Sequence, residues 1–230
     1  MTDRHHVVFV LYPGITSLDL IGPAQVLSHL PGAVVHFAAA TADPVPTDAG
    51  FSIAPTVTLD ACPQADLLCV PGGAGTPAAM DDARLLSWLR AQAEGARLVT
   101  SVCIGSLVLG AAGLLNGYRA ACHWAFRDLL RPFGAEPVAE RVVIDRNRIT
   151  GGGITAGIDF AFRVIEHLHG RDEAEIARLV LEYDPAPIGQ GGTLETARPE
   201  ILAAARERML ANGGGEWQAA LRNAGRAPSA

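Results

Sequence analysis

Short apolar runs alternate with longer amphipathic segments along most of the chain. Strand-sized apolar runs occupy residues 7–11, 34–40, 66–70 and 97–102, and segments with helical length and spacing occupy residues 18–30, 82–93, 104–115 and 155–169. Such an alternation is typical of a parallel sheet that is covered by helices on both faces. The pattern therefore predicts an α/β protein with a mostly parallel central sheet.

The remaining segments extend this pattern toward the C-terminus. Residues 45–59 predict a hairpin region, residues 141–145 and 148–150 predict a strand pair, and residues 172–183 and 199–210 predict two helices. No shift in composition marks a second core, and 230 residues can bury one substantial core. We predict one domain over residues 1–195, followed by a helical extension or tail over residues 196–230.

Composition excludes several classes of function. All 18 basic residues are arginine, so the chain has no lysine for a Schiff base or for a phosphate-binding P-loop. A net charge of −6 argues against a nucleic-acid surface, which needs clustered positive charge. Apolar stretches are too short to span a bilayer, no export signal is visible, and the four cysteines form no CxxC pair. We therefore expect a soluble cytoplasmic protein that binds a small molecule and neither nucleic acid nor membrane.

Cys103 is the residue whose sequence surroundings are most specific. It lies between a strand-like run and a helix-like run, and the residues two before and two after it, Ser101 and Gly105, are both small. This spacing predicts a nucleophile elbow, in which a strained turn presents the central side chain above the sheet. The start of the following helix should lower the pKa of the thiol. A plain buried core cysteine is the alternative interpretation.

Asp19 is the candidate proton donor. It lies between Leu18 and Leu20 and shortly before Gly22 and Pro23. A carboxyl among apolar neighbours tends to keep its proton, and beside a thiolate it would share one titration with it. The alternative is a solvated aspartate in the first turn of a helix, where the macrodipole favours a negative charge.

Glycine-rich segments and one histidine complete the set of candidate site residues. Gly72 and Gly73 follow one strand and could present peptide N–H groups to a developing negative charge, although a tight turn is the commoner explanation. Gly152, with Ile154 after it, follows a later strand and could allow close approach of the backbone, or serve only as a connection. His123 lies downstream of the elbow, where a packed or solvent-facing histidine is the alternative. No histidine cluster has metal-ligand spacing, so we predict no metal.

Four segments together resemble a known group of proteins. The segments LDLIGP at 18–23, VPGG at 70–73, TSVC at 100–103 and TGGGITAGID at 150–159 are similar to those of the ThiJ/PfpI superfamily, and within it to its isocyanide hydratases. The resemblance extends over residues 7–187. It implies a flavodoxin-like three-layer sandwich and a homodimer.

The resemblance also implies a reaction. Isocyanide hydratases add water to an isocyanide and yield an N-substituted formamide without a cofactor. Carried over by motif, Cys103 attacks the terminal isocyanide carbon and Asp19 protonates that carbon, which gives a thioimidate that water hydrolyses. Peptide groups near Ile154 and Gly73 would steady charge or orient water, and Gly152 would allow close approach.

One residue departs from the family pattern, and other functions stay open. Ile104 follows the cysteine, where characterised hydratases carry threonine and the amidase and peptidase-like branches carry histidine. The alternatives are a glyoxalase-like or other carbonyl-directed enzyme, in which glutamate usually stands at the position of Asp19, or a ligand- or redox-sensing domain. Residues after 187 are too few to supply the helix-turn-helix of a regulator.

Overall fold

The chain forms a seven-stranded sheet flanked by helices in a computed structural model, which describes residues 4–186, 189 and 191–211. In chain order the strands are β1 (His5–Val10), β2 (Ala33–Ala39), β3 (Val45–Pro46), β4 (Ser52–Ile53), β5 (Val57–Thr58), β6 (Leu67–Val70), β7 (Leu98–Val102), β8 (Arg119–Ala120), β9 (Glu136–Pro137), β10 (Val142–Asp145) and β11 (Arg148–Gly151). The helices are α1 (Ser17–Leu27), α2 (Thr76–Asp81), α3 (Ala83–Gly95), α4 (Gly105–Ala111), α5 (Ala156–His169), α6 (Arg171–Val180) and α7 (Pro199–Ala211).

The main sheet confirms the predicted parallel topology. Its strand order is β10-β11-β7-β6-β1-β2-β5, and every neighbouring pair is parallel except the edge pair β10–β11. β6 and β7 are buried along their whole length. A strand that is covered on both faces requires the continuous apolar run seen in β6.

The direction of the crossovers explains why helices cover both faces. The chain moves from β1 to β2 toward one edge of the sheet and from β6 to β7 toward the other edge. Because such connections are right-handed, the two moves place their helices on opposite faces. Packing agrees with this, since α1 packs against α5, and α4 packs against α2 and α3. The strand order reverses between β1 and β6, and the crevice at that point is where open α/β sheets bind ligands.

Several predicted boundaries differ from the structure. The helix predicted over 104–115 ends at Ala111, and Gly113 follows with a φ of +76°. The helix predicted over 172–183 ends at Val180, before Glu182 with a φ of +50°. The predicted hairpin region contains the β3–β4 hairpin and the separate edge strand β5. α2 was not predicted, and the predicted tail after α7 lies outside the described residues.

Candidate active site

The nucleophile elbow predicted at Cys103 is present. Cys103 follows β7 directly and has a φ of +60°, which is a strained value for a residue with a side chain. Its N–H donates to the carbonyls of Gly151 at 3.1 Å and Gly152 at 2.8 Å. A Cβ at Gly105 would lie 2.1 Å from the carbonyl oxygen of Val70, so no larger residue fits there. The close approach of α4 to the end of β6 therefore explains the glycine two residues after the cysteine.

Asp19 lies in the first turn of α1 and is fully buried. Its Oδ2 accepts a hydrogen bond from the N–H of Gly72 at 2.9 Å, while its Oδ1 has no hydrogen-bond partner among the described residues. Burial raises the pKa of this carboxyl to about 7, against the lowering effects of the Gly72 N–H and the Cys103 side chain. The carboxyl can therefore both hold and release a proton near neutral pH.

The thiol of Cys103 has the opposite pKa shift from the one expected from its helix. Only 4% of the residue is exposed, and burial raises the pKa of the thiol well above its ordinary value, with the Asp19 carboxyl as the second cause and Cys122 as the third. The N–H of Ile104 opposes these effects. The expected lowering is wrong for this site because burial of the thiol outweighs the N–H of Ile104 at the start of α4. Cys103 and Asp19 therefore titrate as one coupled pair.

The glycines after β6 hold this pair together. A Cβ at Gly72 would lie 2.7 Å from the backbone nitrogen of Ile104 and 3.0 Å from Oδ2 of Asp19. Gly73 has a φ of +144°, and a Cβ there would lie 2.3 Å from the nitrogen of Thr16. Because the Gly72 N–H already donates to Asp19, this glycine positions the carboxyl.

Ile104 fills the space between the elbow and the glycine loop. It is buried and precedes α4. A Cβ added at Gly72 would lie 2.7 Å from its Cγ1. Its side chain is apolar, so it places no hydroxyl beside the thiol. Its backbone N–H is the group that favours the thiolate of Cys103.

The other predicted site residues line a pocket of about 320 Å³ outside this buried pair. Its walls include His123, Trp124, Arg127, Gly152, Ile154 and Leu194. Burial lowers the pKa of His123, whose ring packs against Gly153, so the ring is neutral near pH 7.

Two residues belong both to the pocket wall and to the surroundings of Cys103. Gly152 lines the pocket and accepts the Cys103 N–H, and Cys122 lines the pocket and raises the pKa of Cys103. The structure thus places Cys103, Asp19, Gly72 and Ile104 in one buried cluster. It places His123, Gly152 and Ile154 at the adjacent pocket.

Sequence reasoning missed four residues of this region. Tyr12 is buried, and its hydroxyl donates to the Pro71 carbonyl at 2.6 Å, which fixes the loop that carries Gly72. Cys122 and Arg127 flank the sequence His123-Trp124, and this proximity was the available signal. Leu194 lies in a segment without periodicity, so the sequence carries no signal for its place in the pocket wall.

The described residues contain neither a metal-binding cluster nor a helix that could span a membrane. No group of three or more His, Cys, Asp or Glu side chains in the described part of the chain is arranged to hold a metal ion. Each helix within the described ranges is too short or too polar to cross a bilayer.

Comparison with known proteins places this geometry in a family. Residues 5–167 match the DJ-1/PfpI family, which is more than half of the chain. The chain belongs to the DJ-1/PfpI family. It is 50% identical over 200 residues to the isonitrile hydratase of Pseudomonas putida, covering 87% of this chain and 88% of that protein. Isonitrile and isocyanide are two names for one functional group.

A solved structure and a more distant relative extend the comparison. A THiJ/PfpI family protein from Pseudomonas syringae superposes with a TM-score of 0.90 at 43% identity, covering 95% of this chain and 90% of that one. The DJ-1/PfpI fold therefore covers most of the chain, and the flavodoxin-like sandwich expected from the resemblance is confirmed. A glutathione-independent glyoxalase of Caenorhabditis elegans, DJR-1.2, is 28% identical over 144 residues, covering 62% of this chain and 77% of that protein.

Proposed function

We propose that this protein is a cofactor-independent hydro-lyase that hydrates an isocyanide to an N-substituted formamide. The observation that carries the proposal is the buried Cys103–Asp19 pair, in a chain that is 50% identical to an isonitrile hydratase over most of its length. A carboxyl whose pKa lies near 7 beside a thiol is suited to moving one proton between sulfur and substrate.

The proposed first step uses both side chains. The Asp19 carboxylate accepts the proton of the Cys103 thiol through Oδ1, the oxygen without a partner. The thiolate then attacks the terminal isocyanide carbon to form a C–S bond, and the Asp19 carboxyl returns its proton to that same carbon. The product is a thioimidate, and no electron donor or cofactor is needed.

The proposed second step releases the product. Water adds to the thioimidate carbon, the C–S bond breaks, and the leaving thiolate and the nitrogen of the product take up the two protons of the water. These transfers yield the formamide and regenerate the thiol–carboxylate pair.

Peptide groups at Gly152 and Ile154 line the adjacent pocket, and we assign them, with His123, to the surroundings of the substrate and the attacking water. We assign Gly72 to holding Asp19 and Gly73 to fixing the neighbouring loop.

We also propose a homodimer, a cytoplasmic location and a catalytic domain over residues 1–195. Leu18 and Ile21, on either side of Asp19 in α1, are 40% and 46% exposed, and apolar exposure next to a site favours contact with a second copy. The four cysteines are free thiols, as in a reducing compartment. Pocket contacts reach Glu195, which supports the boundary before the extension at 196–230.

The test compares wild type with Cys103→Ala, Asp19→Asn and, as a matched control, Cys62→Ala, a cysteine outside the site. Formation of N-cyclohexylformamide from cyclohexyl isocyanide is followed by chromatography. We expect no turnover above background for Cys103→Ala, a loss of about 10²-fold or more for Asp19→Asn, and an unchanged rate for Cys62→Ala.

Other outcomes identify the alternatives. A folded Cys103→Ala variant with the wild-type rate would contradict the covalent mechanism. A wild type that is inactive on isocyanides but converts methylglyoxal would favour the carbonyl-directed activity of the glyoxalase relative. Inactivity on both, with reversible oxidation of Cys103, would favour a sensing domain.

A further inference from the structure

Part of the wall of the pocket beside Cys103 and Asp19 comes from a segment that lies beyond the residues matched to the DJ-1/PfpI family. Residues 192–195 contribute four consecutive positions to this wall, whereas the match to the DJ-1/PfpI family ends at residue 167. In this segment Leu194 is half-buried, while Thr193 and Glu195 on either side of it are exposed. The segment therefore directs one apolar side chain toward the protein.

Hydrogen bonds within the segment fix its shape. The hydroxyls of Thr193 and Thr196 lie 3.0 Å apart, and the N–H of Ala197 donates to the Thr193 carbonyl at 2.9 Å. These contacts form a compact turn between the pocket and α7. Leu194 is thus held by a turn and not by an extended linker.

The same pocket wall includes aromatic and apolar side chains. The rings of His123 and Trp124 have centroids 5.4 Å apart, and Ile154 is partly exposed at 36%. A pocket of about 320 Å³ is much larger than the two-atom isocyanide group needs. It has space for a ring on the substrate nitrogen.

The charges around the pocket are matched by partners within the protein. Arg141 forms an ion pair with Asp159, and Glu140 lies 3.4 Å from Arg119. Glu195 faces Arg127, whose positive charge adds a small lowering of the carboxyl pKa to the larger effects of backbone and Thr193 hydrogen bonds. Because these described charges lie near groups of opposite sign, the lining favours a neutral substituent.

We propose that residues 192–195 form the substituent-binding wall of the active site, and that Leu194 selects isocyanides with a neutral, ring-sized apolar group on nitrogen. This inference rests on the proposed function. The isocyanide carbon would reach inward past Gly152 and Cys122 to the thiol, while the ring stays between Leu194 and the rings of His123 and Trp124.

The test measures kcat and KM for cyclohexyl isocyanide and for methyl isocyanide in wild type, Leu194→Ala and Leu194→Met. Leu179→Ala, which changes a leucine on α6 away from the pocket, is the matched control. We expect Leu194→Ala to lower kcat/KM about tenfold for the cyclohexyl compound, mainly through KM, and less than twofold for the methyl compound. Leu194→Met keeps the volume and should stay within twofold of wild type.

A second measurement separates this inference from the proposed reaction. Calorimetry gives the affinity of cyclohexyl isocyanide for Cys103→Ala and for the Cys103→Ala/Leu194→Ala double variant, where no turnover interferes. We expect the double variant to bind about tenfold more weakly. If wild type turns over isocyanides but Leu194→Ala lowers kcat/KM equally for the cyclohexyl and methyl compounds, the proposed role of Leu194 is refuted and the proposed reaction stands. If wild type shows no turnover but the double variant binds more weakly than Cys103→Ala as expected, the proposed reaction is refuted and the proposed role of Leu194 stands.

Discussion

The Asp19→Asn variant should remove a large pH dependence from the stability of the protein. Asn keeps the shape of the side chain and an oxygen that can accept the Gly72 N–H, so the variant removes the titration and keeps the contact. The wild-type carboxyl has a pKa of about 7 in the folded chain, against an ordinary value of 3.8. A raised pKa stabilises the folded state fully below pH 3.8, and this contribution is lost as the pH rises through 7.

The magnitude follows from the width of that pH window. The difference between 3.8 and about 7 is about 3 in pKa, and at ~1.4 kcal/mol for each unit the full change is about 4 kcal/mol. The part of the window above pH 5 spans about two pH units, so about 3 kcal/mol should appear between pH 5 and pH 8.5. This is a substantial fraction of a typical free energy of unfolding of about 5–15 kcal/mol, so the effect is measurable.

Urea unfolding at pH 5 and at pH 8.5, followed by circular dichroism, measures the free energy of unfolding of both proteins. The stability of Asp19→Asn relative to wild type should rise by about 3 kcal/mol between the two pH values. Asp60→Asn, at a surface position, is the control and should change by less than about 0.5 kcal/mol. Equal pH dependence of wild type and Asp19→Asn would refute the reasoning, because it would mean that the carboxyl is not held protonated by burial.

Three further predictions concern the elbow and His36 on β2. Gly105→Ala should lower the free energy of unfolding by about 2–4 kcal/mol, because its Cβ would meet a backbone oxygen 2.1 Å away; an unchanged urea midpoint would contradict this. Ile104→Thr should lower the thiol pKa of Cys103, because a hydroxyl can donate to the thiolate; the pH dependence of iodoacetamide alkylation measures it. Burial, and secondarily His6, lowers the pKa of His36, so stability should fall as pH drops below about 6.5, and His36→Gln should flatten that fall in urea titrations.

The elbow shows how far local sequence can predict the site. Small residues around Cys103 predicted the strained turn because their spacing from the cysteine can be read along the chain, although the contact that requires Gly105 is with the carbonyl of Val70 on another strand. The direction of the thiol pKa could not be predicted in the same way. It depends on how much of the side chain is buried and on a carboxyl 84 positions earlier in the chain, and neither follows from spacing.

The sequence by itself determined the alternation of the main strands and helices and the small residues on both sides of Cys103 that mark the elbow. These features depend on periodicity and on residue spacing along the chain. Tertiary structure decided that Gly72 donates to Asp19, that burial raises the pKa values of both members of the reactive pair, and that Leu194 joins the pocket wall. The physical reason is that burial and through-space contacts depend on which strands and loops become neighbours when the sheet forms.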